Sequence, residues 1–476
     1  MQDFAGWTRK EPARFYDLSS VVDYDALCAI YEGTRSALFR AVLAQAIRAG
    51  AQSVVVEHRY IDADYRSEHS RFYSTTFRRY PSITDRLHFF GSSLPEDAKE
   101  LYAPSRFEDL EYLGYVIVRP VATSPVGRTM LKPSRVSEFV SCCAPDSVHL
   151  FGSELTVDAA PFMAQDEQLG VCVHVSVWIC AYYHHLRFGA PRLLPAEIAG
   201  LTPMERGRLV PSSAITVTQL VQLLERASLP PIVYDLNHLP VGETPESVAC
   251  RYLDSGMPLI VAGRGHAFVV VGYRWVIDEG RRRVQFIRQD DLESPYVIVE
   301  DHHHDRYATW EYFIMGLPTK VYMSGENAEG LGRNRLHEAC RQSDDPAARA
   351  LIDGGAFRPG LSLRTSVHRS TEFKTRVAER KNEAMTGAYQ WMQMSRWVWV
   401  VELVDSARWL RNEKSVLAEV LIDATGHARD AQPLAWRVPG FLTWTIPDHI
   451  DLDGTEIDAP KYVSSVVRNN TQAIAI

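Results

Sequence analysis

The sequence predicts an α+β fold in three modules, and three stretches carry that reading. In "LGVCVHVSVWICAYY" (Leu169–Tyr183) a cysteine opens a helix just after a glycine, and Cys172–Leu186 is helical by composition and length. "HAFVVVGYRWVI" and "RVQFIRQDD" are β-rich runs joined by "DEGRRR", the signature of a hairpin. "SGENAEGLGRN" (Ser324–Asn334) is polar and glycine-rich and reads as a linker. The expected layout is an N-terminal α/β module over 1–158, a central α+β domain over 159–325, where a helix that opens on the cysteine packs on an antiparallel sheet, and a C-terminal α/β module over 335–476.

In chain order, Asp23–Gly50 reads as one helix. Leu27, Ile30, Tyr31, Leu38, Phe39, Val42, Leu43, Ala46 and Ile47 recur at three-four spacing, and Gly50 stands where a C-terminal cap belongs. "SVVVEHRY", "YLGYVIVRP" and "SVHLFGSELTV" read as strands, the second closed by proline. Thr216–Ala227 reads as a helix, and "SVACRYLDSGMPLIVAG" as a helix ended by Gly256 and followed by a short strand. "PYVIVED" and "TKVYMS" supply further strands. Past the linker come a helix over Leu336–Gly354, an irregular basic segment, and two strong strands, "WVWVVELVD" and "VLAEVLIDAT".

Bulk properties narrow the class. The chain has 476 residues, enough for a large core without covalent staples. A net charge of -8 argues against nucleic-acid binding as the main role. The seven cysteines (28, 142, 143, 172, 180, 250 and 340) include no CxxC pair and read as reduced thiols of a cytoplasmic protein. Met1–Pro12 is polar, unlike a signal peptide, and no apolar run reaches the ~18 residues of a membrane span.

The chemistry-bearing residues fall in a telling order. Gln165 lies seven residues before Cys172. Cys172 opens the helix, where the helix dipole favours a thiolate. Gly265-His266 opens a strand, and Asp290 ends the next one. A thiol nucleophile needs a base to take its proton, the imidazole needs an acceptor to orient it, and the tetrahedral intermediate needs donors for its oxyanion. Cys172, His266, Asp290 and the Gln165 amide match those four roles.

This ordered set resembles the papain-like thiol peptidases, most closely their bacteriocin-processing-peptidase-like branch. There a Gln precedes the Cys by six or seven positions, the Cys opens the central helix, "GH" with an apolar strand and "GY" carries the base, and an Asp or Asn ends the following strand. The matching positions are Gln165, Cys172, His266 and Asp290, within residues 160–325, and "GHAFVVVGY" is the most specific piece. Two positions depart from the pattern. Val173 follows the cysteine where the group usually has Gly, and Asp291-Leu292 follow Asp290 where Pro is common.

The resemblance implies a cysteine peptidase that hydrolyses a peptide or isopeptide bond without a cofactor or metal. Its partner would be a protein or peptide substrate, with a dedicated protein partner suggested by the flanking modules, and neither nucleic acid nor membrane. Acyl transfer, deamidation or transglutamination would use the same residues, and a non-catalytic papain-like binding module is the alternative of a different class. Several neighbours compete for notice. Gln168 sits four residues before the cysteine, too close to turn back over it. His174 is two residues along the helix and faces away. Asp290 and Asp291 would alternate across an extended strand, which leaves Asp291 as a rival third member. "EDHHHDRY" (Glu300–Tyr307) could offer two His with Asp301 or Asp305 to a metal, but it reads as a solvated turn near the cleft, because no second ligand pair at zinc spacing stands elsewhere in the sequence.

Overall fold

The computed structural model describes the chain except residues 1–12, 32–35, 95–106, 108–109, 135–138, 166–170, 203–214, 264, 279–280, 300–309, 380–382, 411–413, 428–430, 447–451, 458–461, 464–473 and 476. Helices pack against antiparallel sheets in a mixed α+β fold. The chain divides into two compact units. One comprises Met1–Asn237, Pro258–Gly272 and Phe286–Gly316, the other His238–Met257, Tyr273–Gln285 and Leu317–Ile476.

The first unit contains a five-stranded antiparallel sheet in the order Ala13–Asp17, Ser53–Tyr60, Thr84–Phe90, Tyr112–Val118, Val126–Leu131. The helix expected over Asp23–Gly50 is described as two, Val21–Tyr31 and Ser36–Arg48. Leu27, Phe39, Val42 and Leu43 from these helices share one core with Val54, Val56, Leu87 and Val116 from the sheet. Each large apolar side chain so buried contributes about 1.5–3 kcal/mol. "SVHLFGSELTV" is a hairpin rather than one strand, pairing Ala144–Leu150 with Ser153–Ala159. Phe151 (φ 47°) and Gly152 (φ 89°) form its two-residue turn. Both turn residues are left-handed, as a tight hairpin requires, and a phenylalanine in the first position conceals the turn from a reading of composition.

A second sheet runs in the order Val297–Ile298, Arg281–Gln289, His266–Asp278, Leu259–Gly263, Tyr312–Gly316, Pro231–Asp235. Within its hairpin, residues 273–285 belong to the second unit. "TKVYMS" forms no strand. It follows a turn in which the Val321 amide donates to the Pro318 carbonyl, and Lys320 is left-handed. Two strands of that order were missed, Pro231–Asp235 at its edge and Tyr312–Gly316 between two others.

The second unit is organised on a sheet ordered Leu361–Arg369, Trp397–Asp405, Ser415–Asp423, Pro433–Val438, Gly440–Thr445, Leu452–Ile457. The two strong strands of the sequence stand next to each other in it. The segment read as irregular supplies the first strand and the helices Ser370–Val377 and Glu383–Trp391. The stretch read as a linker is helical. Gly325–Gln342 is one helix, and the helix expected to begin at Leu336 is its second half. Its buried residues are Gly325, Ala328, Gly332, Leu336 and Cys340. The helical period is present, but small side chains carry it. Among the described residues no helix is long and apolar enough to cross a membrane.

Candidate active site

Cys172 is the first residue of the helix Cys172–Phe188 and is half-buried. The helix is held by burial of Val175, Val177, Trp178, Ile179, Cys180 and Tyr183 along its length, with Trp178 stacked on Tyr182 at 5.2 Å. Gly189, at φ 66°, ends it. His174 serves the helix start: the Val171 N–H donates to its Nδ1 at 3.3 Å. That leaves Nε2 to carry the proton toward Thr202 Oγ1 at 2.7 Å.

His266 opens its strand at a tight turn, in register with Gly263, and Gly265 provides the left-handed residue (φ 82°) that this return needs. The following strand, Arg281–Gln289, is anchored at its far end. Gln289 Nε2 donates to the Ala160 carbonyl at 3.2 Å, and Gln289 Oε1 accepts from the Tyr296 N–H at 2.9 Å. The Tyr296 hydroxyl donates to the Leu131 carbonyl at 2.8 Å. With Gln289 fixed, the chain leaves the strand at Asp290 and turns, the Glu293 amide donating to the Asp290 carbonyl at 3.0 Å.

His266 Nε2 lies 3.1 and 3.2 Å from the two Asp290 carboxylate oxygens. The Asp290 hydrogen bond is the largest influence that raises the imidazole to about 10, and a hydrogen bond with the Cys172 thiol is the next. Asp290 moves the other way. Burial pushes it up, but the His266 bond and charge, Arg288 and the Leu292 N–H outweigh that and hold it below its ordinary value. Burial raises Cys142, Cys143, Cys180 and Cys250, and brings Cys340 to about 11.

Asp291 does not turn away. Because the strand ends at Gln289, strict alternation no longer applies, and one ligand atom from each of His266, Asp290 and Asp291 lies within 4.8 Å of the others. Cys172 is outside that group of three. Asp291 is 3% exposed, and neither carboxyl oxygen has a hydrogen-bond partner at normal geometry among the described residues. Burial, with the adjacent Asp290 charge, raises it to about 7.

Gln165 is anchored by its main chain, its carbonyl accepting from Ser124 Oγ at 2.6 Å. Gln168 and "EDHHHDRY" lie outside the described residues. Beside His266 is a cavity of about 280 Å³, lined by Val261, Gly263, Phe268, Arg288, Glu293, Val299 and Trp310. Trp310 packs edge-on against Phe268 at 5.5 Å, and the Arg288 guanidinium lies over Phe268 at 5.1 Å. Sequence reasoning passed over Arg288, Phe268 and Trp310. The only signal for Arg288 was its place two residues before Asp290.

Comparison of the chain with family models, curated proteins and solved structures returns no match.

Proposed function

We propose that this chain is a papain-like cysteine peptidase that hydrolyses a peptide or isopeptide bond. The observation that carries the reading is the imidazole of His266, bonded through Nε2 to Asp290 and raised by both Asp290 and Cys172. With Nε2 engaged, Nδ1 is the ring nitrogen left for the thiol. A thiol beside an imidazolium at a helix start is the arrangement in which such nucleophiles are held as thiolates.

In the proposed reaction Cys172 Sγ bonds to the substrate carbonyl carbon. The oxyanion is met by the Cys172 N–H and the Gln165 amide. The C–N bond breaks as His266 gives its proton to the departing amine, leaving a thioester. His266 then takes a proton from water, whose oxygen bonds to the carbonyl carbon as the C–S bond breaks. Asp290 orients the ring throughout. The cavity beside His266, with its aromatic wall and its Arg288–Glu293 pair, fits a substrate side chain.

Brief iodoacetamide treatment followed by peptide mapping tests this. Cys172 is expected to react well ahead of the other six thiols at pH 7, and His266→Ala is expected to slow it by about tenfold or more. Turnover of a peptide library is expected to vanish in Cys172→Ala, fall almost as far in His266→Ala, fall less in Asp290→Ala, and drop about a hundredfold in Gln165→Ala. Equal alkylation of Cys172 with and without His266, or full turnover in Cys172→Ala, overturns the proposal.

A further inference from the structure

We infer that His266, Asp290 and Asp291 form a binding site for a divalent transition-metal ion, with zinc the best fit, and that the bound ion switches the thiol chemistry off. The site stands on these three side chains alone. Only its effect on turnover rests on the function proposed above.

Three ligand atoms within 4.8 Å of one another are close to a coordination set. Zinc held at ~2.0–2.2 Å by nitrogen and oxygen ligands spaces them roughly 3.2–3.5 Å apart. His266 Nε2 and Asp290 Oδ1 already stand at 3.1 Å, so the main movement required is a small closure of Asp291. The second observation is Asp291 itself, which is 3% exposed beside this pair, with no hydrogen-bond partner of normal geometry on either carboxyl oxygen among the described residues. A buried carboxylate without a donor is costly unless a proton or a cation joins it. Two carboxylates and a neutral imidazole bring a charge of −2 to an ion of +2, and the N,O,O donor set suits zinc. Arg288 is the competing cation, its Nε 3.7 Å from Asp290 Oδ2. Its Nη2 is drawn to Glu293 at 2.6 Å, so an ion can enter without displacing it.

The consequence follows from the ring. Coordination uses the Nε2 lone pair, so the imidazolium releases its Nε2 proton to solvent and keeps the other on Nδ1. With the metal in place of the Nε2 proton the ring is no longer an imidazolium, and its remaining Nδ1–H is a far weaker acid, so it neither holds the Cys172 thiolate nor protonates the departing amine. The ion therefore disables the acid–base partner and leaves the nucleophile in place.

Calorimetric titration of the metal-free full chain with zinc chloride tests the site. Wild type and Cys172→Ala are expected to show the same tight equivalent. His266→Ala and Asp291→Asn are expected to lose it or bind it at least about tenfold more weakly. Ions held elsewhere on the chain are common to all four proteins and cancel in the comparison. Wild-type binding in Asp291→Asn overturns the inference, as does an equivalent that disappears in Cys172→Ala and persists in Asp291→Asn. The alkylation rate of the metal-free chain reads the thiol separately, so the two proposals fail distinguishably.

Discussion

Each unit buries a cluster of charges, and the two clusters are built on opposite terms. In the second unit Arg364 and Arg251 each meet two carboxylates. Arg364 is hydrogen-bonded to Asp254 and lies 3.4 Å from Glu402, its guanidinium over the Trp409 ring at 4.1 Å. Arg251 reaches Glu243 at 2.8 Å and Glu329 at 3.1 Å. In the first unit one imidazole faces two adjacent carboxyl groups, and the second carboxyl has no donor at normal hydrogen-bond geometry among the described residues. Interlocked opposite charges resist rearrangement, as a structural network must. An excess carboxyl group can be relieved only by something that comes and goes, such as a proton or an ion. That difference is the one the chemistry proposed for the His266 cluster requires, although both are buried and both are rich in carboxylates.

The largest expected effect separates the clusters by stability. Arg364→Met keeps the stem that packs near Trp409 but leaves Asp254 and Glu402 without their guanidinium. Breaking a buried pair in this way costs about 3–5 kcal/mol. Guanidinium denaturation followed by tryptophan fluorescence is expected to show that loss for the second unit, with iodoacetamide reactivity at Cys172 unchanged. A loss below about 1 kcal/mol would mean that the Arg364 network is not the structural half of the comparison.

A smaller effect, of opposite sign, is expected at Asp291. Its folded value of about 7 lies above its ordinary 3.8, so the folded chain favours the protonated form. That preference is worth most below 3.8 and is lost as pH rises toward 7. Asp291→Asn has no proton to lose. It is expected to match wild type near pH 4 and to become progressively more stable than wild type up to about pH 7, where the gain levels off. His266, raised to about 10, contributes stability below its ordinary 6.5 that is lost as pH rises through 10; the larger contributions, from Asp290 and Cys172, are shared by both proteins, and only the smaller one from the Asp291 charge is missing in Asp291→Asn. Melting temperatures at pH 4, 5.5 and 7.5 check the trend, and a difference that does not vary with pH breaks the account.

How much of this was legible in the sequence depends on which residues carried each signal. Cys172 at a helix start, His266 at a strand start and Asp290 at a strand end were readable, because glycine, apolar runs and a hairpin turn mark those boundaries in the chain. The convergence of Asp291 on the same ring was not. It depends on the strand ending one residue before the Asp doublet, and strand ends carry little local signal. Leu361–Arg369 was missed because Arg364, Thr365, Ser366 and His368 are polar yet buried. Arg364 and His368 have partners that composition does not reveal, such as Asp254 and Ser366.

The helix Gly325–Gln342 gives the sharpest case, since its glycines hid it and two of them have opposite roles. Gly332 faces the sheet, and a Cβ built there would come within 2.8 Å of Val401 Cβ. Val401 lies in the interior strand Trp397–Asp405 and has no room to move aside, so Gly332→Ala is expected to destabilise by about 1–3 kcal/mol through overpacking. Gly330 lies on the same helix with nothing within 4 Å of its Cβ position. There alanine meets no neighbour and restricts the unfolded chain, so Gly330→Ala is expected to stabilise by about 0.5–1 kcal/mol. Chemical denaturation of the two variants side by side measures both signs. If Gly330→Ala destabilises as much as Gly332→Ala, this stretch is not a regular helix packed through small residues. It would then have the character its composition first suggests, that of a linker.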